Sequence, residues 1–270
     1  MKNHKPFSPQ FPSIIKSLLN EIQNTQIVIM AGGQGKRMGL ETPKPLIMLG
    51  GQTLLERCIN YYKSVGFKDI IILTGYGAEK VEQLINKKYS GIKTCRDPEG
   101  PVQPPGKAKA LKNALEKGII NEKKRVLITF PDDIFLDPYL PAKLLLHHLE
   151  GVKILDIWAS AVFAYPVNYQ FGVGKINGRG LVVKFVEKPS IRIPTSTGIY
   201  VFEPPVYNLI REIDLKEPRP VEFEERIIPE LARRGKLYAY RIPGELWVPV
   251  NTQKDLKRAE KLLGISRKTG

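Results

Sequence analysis

Cysteine is almost missing: Cys58 and Cys95 are the two thiols in 270 residues, and neither sits in a CxxC pair or a Cys/His cluster. A disulfide framework and a structural zinc site are therefore not expected. Histidine is scarce as well. His4, His147 and His148 are too few and too badly placed for an imidazole metal site. No stretch approaches the roughly 18 apolar residues a spanning helix requires, which argues against an integral membrane protein. Met1 to Asn24 starts basic but has neither a continuous apolar core nor a small-residue cleavage site, so no signal peptide is read and a cytoplasmic location is expected. Acidic residues are the other shortage, with 27 Asp and Glu against 42 Lys and Arg, a formal net charge of +15. Such an excess suits nucleic acid, small polyanionic substrates, or a lysine-rich solvated surface. The chain has no recognition-helix motif, aromatic RNP stripe or basic tail, so nucleic acid is not the expected partner. What remains, 42% hydrophobic and 26% charged residues, is the make-up of a globular protein long enough to bury a sizeable core.

Residues 1–24 read as an extension. Prolines 6, 9 and 12 punctuate a polar lead, and Ile14, Ile15, Leu18, Leu19 and Ile22 then recur at helical spacing. That amphipathic helix is expected to cover the core of the domain, or to meet a second subunit of a homo-oligomer. Residues 25–270 read as one domain. Ile27–Ala31 and Asp69–Thr74 are buried strands, followed by Ile92–Arg96 and Arg125–Phe130. Helices Thr53–Val65, Ala78–Lys88 and Lys107–Lys117 alternate with them, the first opened by a Thr53/Glu56 capping box. This β-α-β-α order predicts a mainly parallel sheet with helices on both faces. Beyond it, Asp156–Tyr165, Val173–Ile176, Leu181–Val186 and Thr197–Phe202 read as strands, with a hairpin turn at 177–180. They predict a small antiparallel lobe. Helices are expected at Val206–Ile213, Phe223–Arg234 and Thr252–Leu263. His147 and His148 are expected on a helix surface.

Chemistry concentrates just after the first strand. Gly32, Gly33 and Gly35 let the backbone turn tightly and bring N–H groups close to an anion, with Lys36 and Arg37 adding charge. The run is neither a Walker A loop, since no Gly-Lys-Ser/Thr closes it, nor a dinucleotide fingerprint, since Met38 stands at the third glycine position. Pro43 and Pro45 flank Lys44, stiffening the chain so that its ammonium is aimed. A glycine loop with Arg37 and a fixed Lys44 is a plausible clamp for a triphosphate.

Gly-Gly-x-Gly-x-Arg-Met followed by Pro-Lys-Pro-Leu resembles the signature of the sugar-1-phosphate nucleotidylyltransferases. Further pieces follow in that family's order: Thr74-Gly75-Tyr76, Gly106 through Leu111, Asp132-Asp133-Ile134-Phe135, Glu187-Lys188-Pro189, Thr197 through Phe202, and Trp247 through Asn251-Thr252 to Asp255. The resemblance spans about Gln26 to Leu263, without the C-terminal β-helix of longer members. It implies a Rossmann-like α/β fold and a reaction in which a sugar 1-phosphate attacks the α-phosphorus of an NTP and pyrophosphate leaves. It also implies roles for named residues. Gly32, Gly33, Gly35 and Arg37 would hold the triphosphate, and Lys44 the reacting phosphates. Gln103, Gly106 and Lys107 lie where the family contacts the nucleotide. Lys188 would bind the sugar phosphate, with Glu187, Gly172 and Ser196 lining the sugar pocket. Mg²⁺ is the implied cofactor, held by Asp132.

Departures from the family pattern matter as much. The second metal aspartate of the closing Trp-x-Asp is Pro249 here, which offers no ligand atom. Asp133 or water could complete the shell, or the chain could bind nucleotide sugars with little turnover. Lys107 and Lys109 stand in the nucleotide loop, where they could supply positive charge directly. Base and sugar are not legible. Glucose 1-phosphate with UTP or dTTP is the first expectation, then mannose 1-phosphate with GTP, then a cytidylyltransferase for phosphocholine or a polyol phosphate.

Overall fold

The computed structural model describes residues 11–35, 38–39, 41–169 and 171–265. Its centre is a seven-stranded sheet formed by β1 (Thr25–Ala31), β2 (Ile70–Thr74), β3 (Lys93–Arg96), β4 (Arg125–Thr129), β5 (Ala159–Tyr165), β6 (Thr195–Phe202) and β7 (Leu237–Pro243), in the order β7-β5-β6-β4-β1-β2-β3. Six strands run one way, and β6 runs against both of its neighbours. The expected mainly parallel sheet is thus present. The small antiparallel lobe is the ribbon of Val173–Ile176 against Val182–Val186.

Period-two alternation places the core on both faces. From β1, Val28 and Met30 point to one side, where they meet Leu111 and Leu115 of α4 (Lys107–Glu116), Ile210 of α6 (Val206–Arg211) and Phe223 and Ile227 of α7 (Phe223–Arg233). Ile27 and Ile29 point to the other side. They meet Ile59 and Tyr62 of α2 (Leu54–Val65), Val81 and Ile85 of α3 (Ala78–Lys88) and Leu144 of α5 (Leu140–Leu155). The Thr53/Glu56 capping box forms as expected.

The amphipathic helix of the extension is α1 (Phe11–Gln23). It lies against β1 and α5, buries Ile22, and is tied to the sheet by an ion pair of 2.5 Å from Arg125 to Glu21. A third, smaller apolar cluster joins Met38, Ile47, Val248, Val250 and Leu256. It fastens the turn after the glycine loop to the closing segment and to α8 (Gln253–Leu262).

Two expectations change. His148 is fully buried on α5: its Nδ1 lies 2.8 Å from Ser160 Oγ and its Nε2 3.0 Å from Glu203, beside Arg125. Burial, the largest cause, lowers its pKa, against the pull of Glu203. Position 148 falls four residues after Leu144, on the core-facing stripe of the helix, and a polar network satisfies it there. The second is β7, a parallel edge strand that sequence reading passed over. Arg241 and a terminal Pro243 interrupt its apolar pattern, which an edge position tolerates.

Candidate active site

Parallel strands deliver their following loops to one end of the sheet, and the crevice beyond those carboxyl ends is where such folds bind ligands. Gly32 follows β1, Gly75 follows β2, Asp97 follows β3 and Asp132 follows β4. All four line one cavity of about 810 Å³, together with Gly33, Gly35, Lys44, Gln103, Gly106, Lys107 and Asn251.

The glycine loop is built onto Lys44. The Lys44 backbone N–H donates to Gly33 O at 3.1 Å, and Pro43 and Pro45 set a single 3₁₀ turn over Lys44–Leu46. Gly35 takes a φ of +70°, which favours glycine, and a Cβ there would stand a tight 3.2 Å from Lys44 Cβ. The Lys44 ammonium then donates to Asp132 Oδ2 and, at 3.1 Å, to Asn251 Oδ1. Arg37 lies outside the described residues.

Asp132 is held from behind. Trp247–Pro249 pairs antiparallel with Asp133–Phe135, placing Pro249 directly opposite Asp133, and the Val250 N–H donates to Asp132 O at 2.8 Å. The Asp133 carboxylate accepts the Trp247 indole N–H at 2.8 Å. Burial, and then the charge of Asp132, push its pKa up to about 8. Asn251 has no counterpart among the expected site residues. It precedes the Thr252/Asp255 capping box of α8, and Asp255 Oδ2 accepts its backbone N–H at 3.1 Å. A polar residue just ahead of a helix cap, at the glycine position of the closing motif, was the available signal.

On the nucleotide loop, Gly106 caps α4 with a φ of +90° against the Val221 backbone. The Gln103 side-chain amide donates to Pro98 O at 3.0 Å. Lys107 pairs with Glu222 at 3.4 Å and Glu224 at 2.8 Å and lies over the Phe130 ring. Lys109 corrects the expectation of a free charge in this loop. It is 1% exposed and donates to the backbone carbonyls of Glu217 and Arg219, so its charge is taken up by that loop rather than left free. Asp97 was also missed. No donor among the described residues meets its carboxylate, and burial pushes its pKa up to about 6.

The expected sugar residues gather in part. Gly172 packs against Phe185 and Glu187, and Glu187 pairs with Lys188 at 3.5 Å, both side chains being exposed. Lys188 takes a φ of +48°, a left-handed backbone uncommon for a residue other than glycine. None of these three lines the cavity. Ser196 reaches it indirectly: its Oγ lies 3.2 Å from the Tyr200 hydroxyl, which donates to Glu224, the partner of Lys107.

Mg²⁺ prefers oxygen ligands and is commonly held by one or two carboxylates plus substrate phosphates rather than by an all-protein cage. Among the described residues no three His, Cys, Asp or Glu side chains gather to hold a metal. Asp132 Oδ2 and Asn251 Oδ1 nevertheless converge on one cation, the Lys44 ammonium, so the donor set fits an ion that is shared with phosphates. Among the described residues no helix is long and apolar enough to cross a membrane.

The nucleotidyl transferase family model matches residues 26–264. The chain is 27% identical over 243 residues to the catalytic subunit beta of mannose-1-phosphate guanylyltransferase of Drosophila melanogaster, covering 86% of this chain and 60% of that protein. It is 29% identical to a Bacillus subtilis protein assigned as a glucose-1-phosphate cytidylyltransferase, covering 87% and 94% of the two chains. A solved structure of a Bacillus anthracis protein assigned as a glucose-1-phosphate thymidylyltransferase superposes with a TM-score of 0.64, at 24% identity, over 88% of this chain and 94% of that one. The chain thus spans about 60% of the length of the guanylyltransferase relative and nearly all of the bacterial ones. A glycine loop stacked on Lys44, with Asp132 beyond the fourth strand and a family model running over almost the whole chain, makes this protein a member of the nucleotidyl transferase family.

Proposed function

We propose that the chain joins a sugar 1-phosphate to an NTP, giving an NDP-sugar and pyrophosphate. The observation that carries this reading is the meeting of Lys44 with Asp132 and Asn251 at the floor of a cavity entered by the glycine loop. In-line displacement at phosphorus asks a protein for positioning and charge neutralisation rather than covalent help. Gly32, Gly33 and Gly35 direct backbone N–H groups at the triphosphate. Lys44 leaves Asp132 and Asn251 for the reacting phosphates as substrate enters. Lys188 and Glu187 take the sugar phosphate and sugar hydroxyls, with Gly172 and Ser196 completing that subsite. Asp132 and Asn251 would hold Mg²⁺, which when bound neutralises phosphate charge in the transition state.

A pyrophosphate-release assay over a panel of NTPs and sugar 1-phosphates tests the reading. Release with at least one pair is expected, and none with any pair, at high Mg²⁺ or Mn²⁺, overturns it. Pro249 favours a second reading, a nucleotide-sugar-binding homologue with little turnover. Fast wild-type turnover removes that one.

A further inference from the structure

We infer that Asp97 reads the nucleobase in this cavity and that its carboxylate selects guanine. The inference rests on the nucleotidylyltransferase reading, since it names the base subsite of the same cavity.

Position comes first. Asp132 follows β4 and Asp97 follows β3, with β1 and β2 between them. Three strand spacings put the backbones of the two loops about 14 Å apart, and the Asp97 side chain reaches back from its loop over Gly75 toward Gly32. Asp97 is anchored by its backbone N–H, which donates to Thr74 O at 2.7 Å. Its carboxylate is let into the cavity by missing side chains: a Cβ on Gly75 would stand 2.3 Å from Oδ2, and one on Gly32 3.4 Å. Leu73 and Pro104 give the same end of the cavity apolar walls for the flat faces of a base.

Chemistry comes second. Asp97 is a pure acceptor with no donor among the described residues to occupy it, and its pKa near 6 leaves it ionised at neutral pH. An acceptor pair needs two adjacent N–H groups. Guanine offers N1–H and the N2 amino group side by side. Uracil and thymine offer one N–H between two carbonyls, which a carboxylate repels. Cytosine and adenine set their amino group beside a ring acceptor. Gln103 is less free to do the reading, because its amide N–H₂ is engaged by Pro98 O. A half-buried charge left unpaired by the wrong base disfavours that base, whereas the right base satisfies it. This reverses the order expected from sequence, in which UTP and dTTP came before GTP.

The test is equilibrium binding of GTP, ITP, XTP, UTP, dTTP and CTP to the full chain, wild type and Asp97→Asn, without sugar. Wild type is expected to prefer GTP, and to hold ITP, which lacks the N2 amino group, about tenfold more weakly. Asp97→Asn is expected to lose GTP by about tenfold or more and to gain XTP, because an amide accepts from N1–H and donates to the O2 of xanthine. The gain shows that the variant is folded. Unchanged GTP affinity in Asp97→Asn, or tighter wild-type binding of UTP, dTTP or CTP than of GTP, overturns the inference and leaves the enzyme reading standing. Failure of every NTP to bind wild type removes that reading, and this one with it.

Discussion

An unpaired carboxylate held in a cavity should weaken the empty protein, and Asp97→Asn measures by how much. The carboxyl has a pKa of about 6 in the folded chain against an ordinary 3.8, and burial is the cause. The folded state therefore binds the proton more tightly than the unfolded state does. Between those two values the folded chain carries more protons, so stability falls as pH rises through the window and the loss is complete above it. From 3.8 to about 6, the full effect is no more than about 3 kcal/mol, with cavity water reducing it. The asparagine variant carries no such proton. Urea unfolding of both proteins, without nucleotide, from pH 4 to pH 8 should show the variant gaining about 1–3 kcal/mol on wild type above pH 7. The gain should shrink to a fraction of that near pH 4, where Asp97 is protonated in the folded chain and only in part in the unfolded one. Other carboxylates titrate over the same range, but they are common to the two proteins and cancel in the difference. A variant less stable than wild type at pH 8 would refute the reasoning, because Asp97 would then be making a stabilising contact.

Three further outcomes are expected. Gly106→Ala should cost about 2 kcal/mol or more in urea unfolding and raise the KM for NTP, since the position needs a φ of +90° and a Cβ would stand 2.4 Å from Val221 N. Arg125→Met should lower stability by about 3 kcal/mol in the same assay; Glu203 would keep only His148 as a partner and α1 would lose its Glu21 tie. Pro249→Asp should raise Mn²⁺ affinity, followed by electron paramagnetic resonance, by about tenfold, and Asn251→Leu should lower it. Unmoved affinity in both would show that neither position faces the ion.

What could be read from sequence was local. The all-buried run of β1, the Thr53/Glu56 cap and the glycine loop with its flanked lysine each depend on neighbours a few residues away. The site itself is assembled from far apart. Lys44 meets Asp132 across 88 positions and Asn251 across 207, so the single residue types were legible and their meeting was not. Lys109 shows the same limit. Its helical spacing was compatible with the nucleotide side, but carbonyls more than 100 positions away decide where it points. His148 was more legible than it was read, because its spacing from Leu144 already placed it inward. Asp97 was passed over inside a proline- and glycine-rich loop, although its place just after a parallel strand is where such sheets hold their ligands.

The two departures at the closing segment belong to one arrangement. An aspartate at 249 would stand directly opposite Asp133, the cross-strand position at which side chains crowd most. Asp133 already sits beside Asp132, and that second charge is one reason its carboxyl is pushed up to about 8. A third carboxylate there would raise the repulsion further unless an ion were always bound. Proline removes the charge while keeping the strand, because the Val250 N–H one residue on supplies the bond to Asp132 O. The oxygen lost at 249 reappears at 251 as a neutral amide, fixed by Asp255 and aimed at Lys44. The closing segment thereby presents a neutral carbonyl oxygen at 251 in place of a carboxylate at 249, and both that oxygen and Asp132 accept from the Lys44 ammonium.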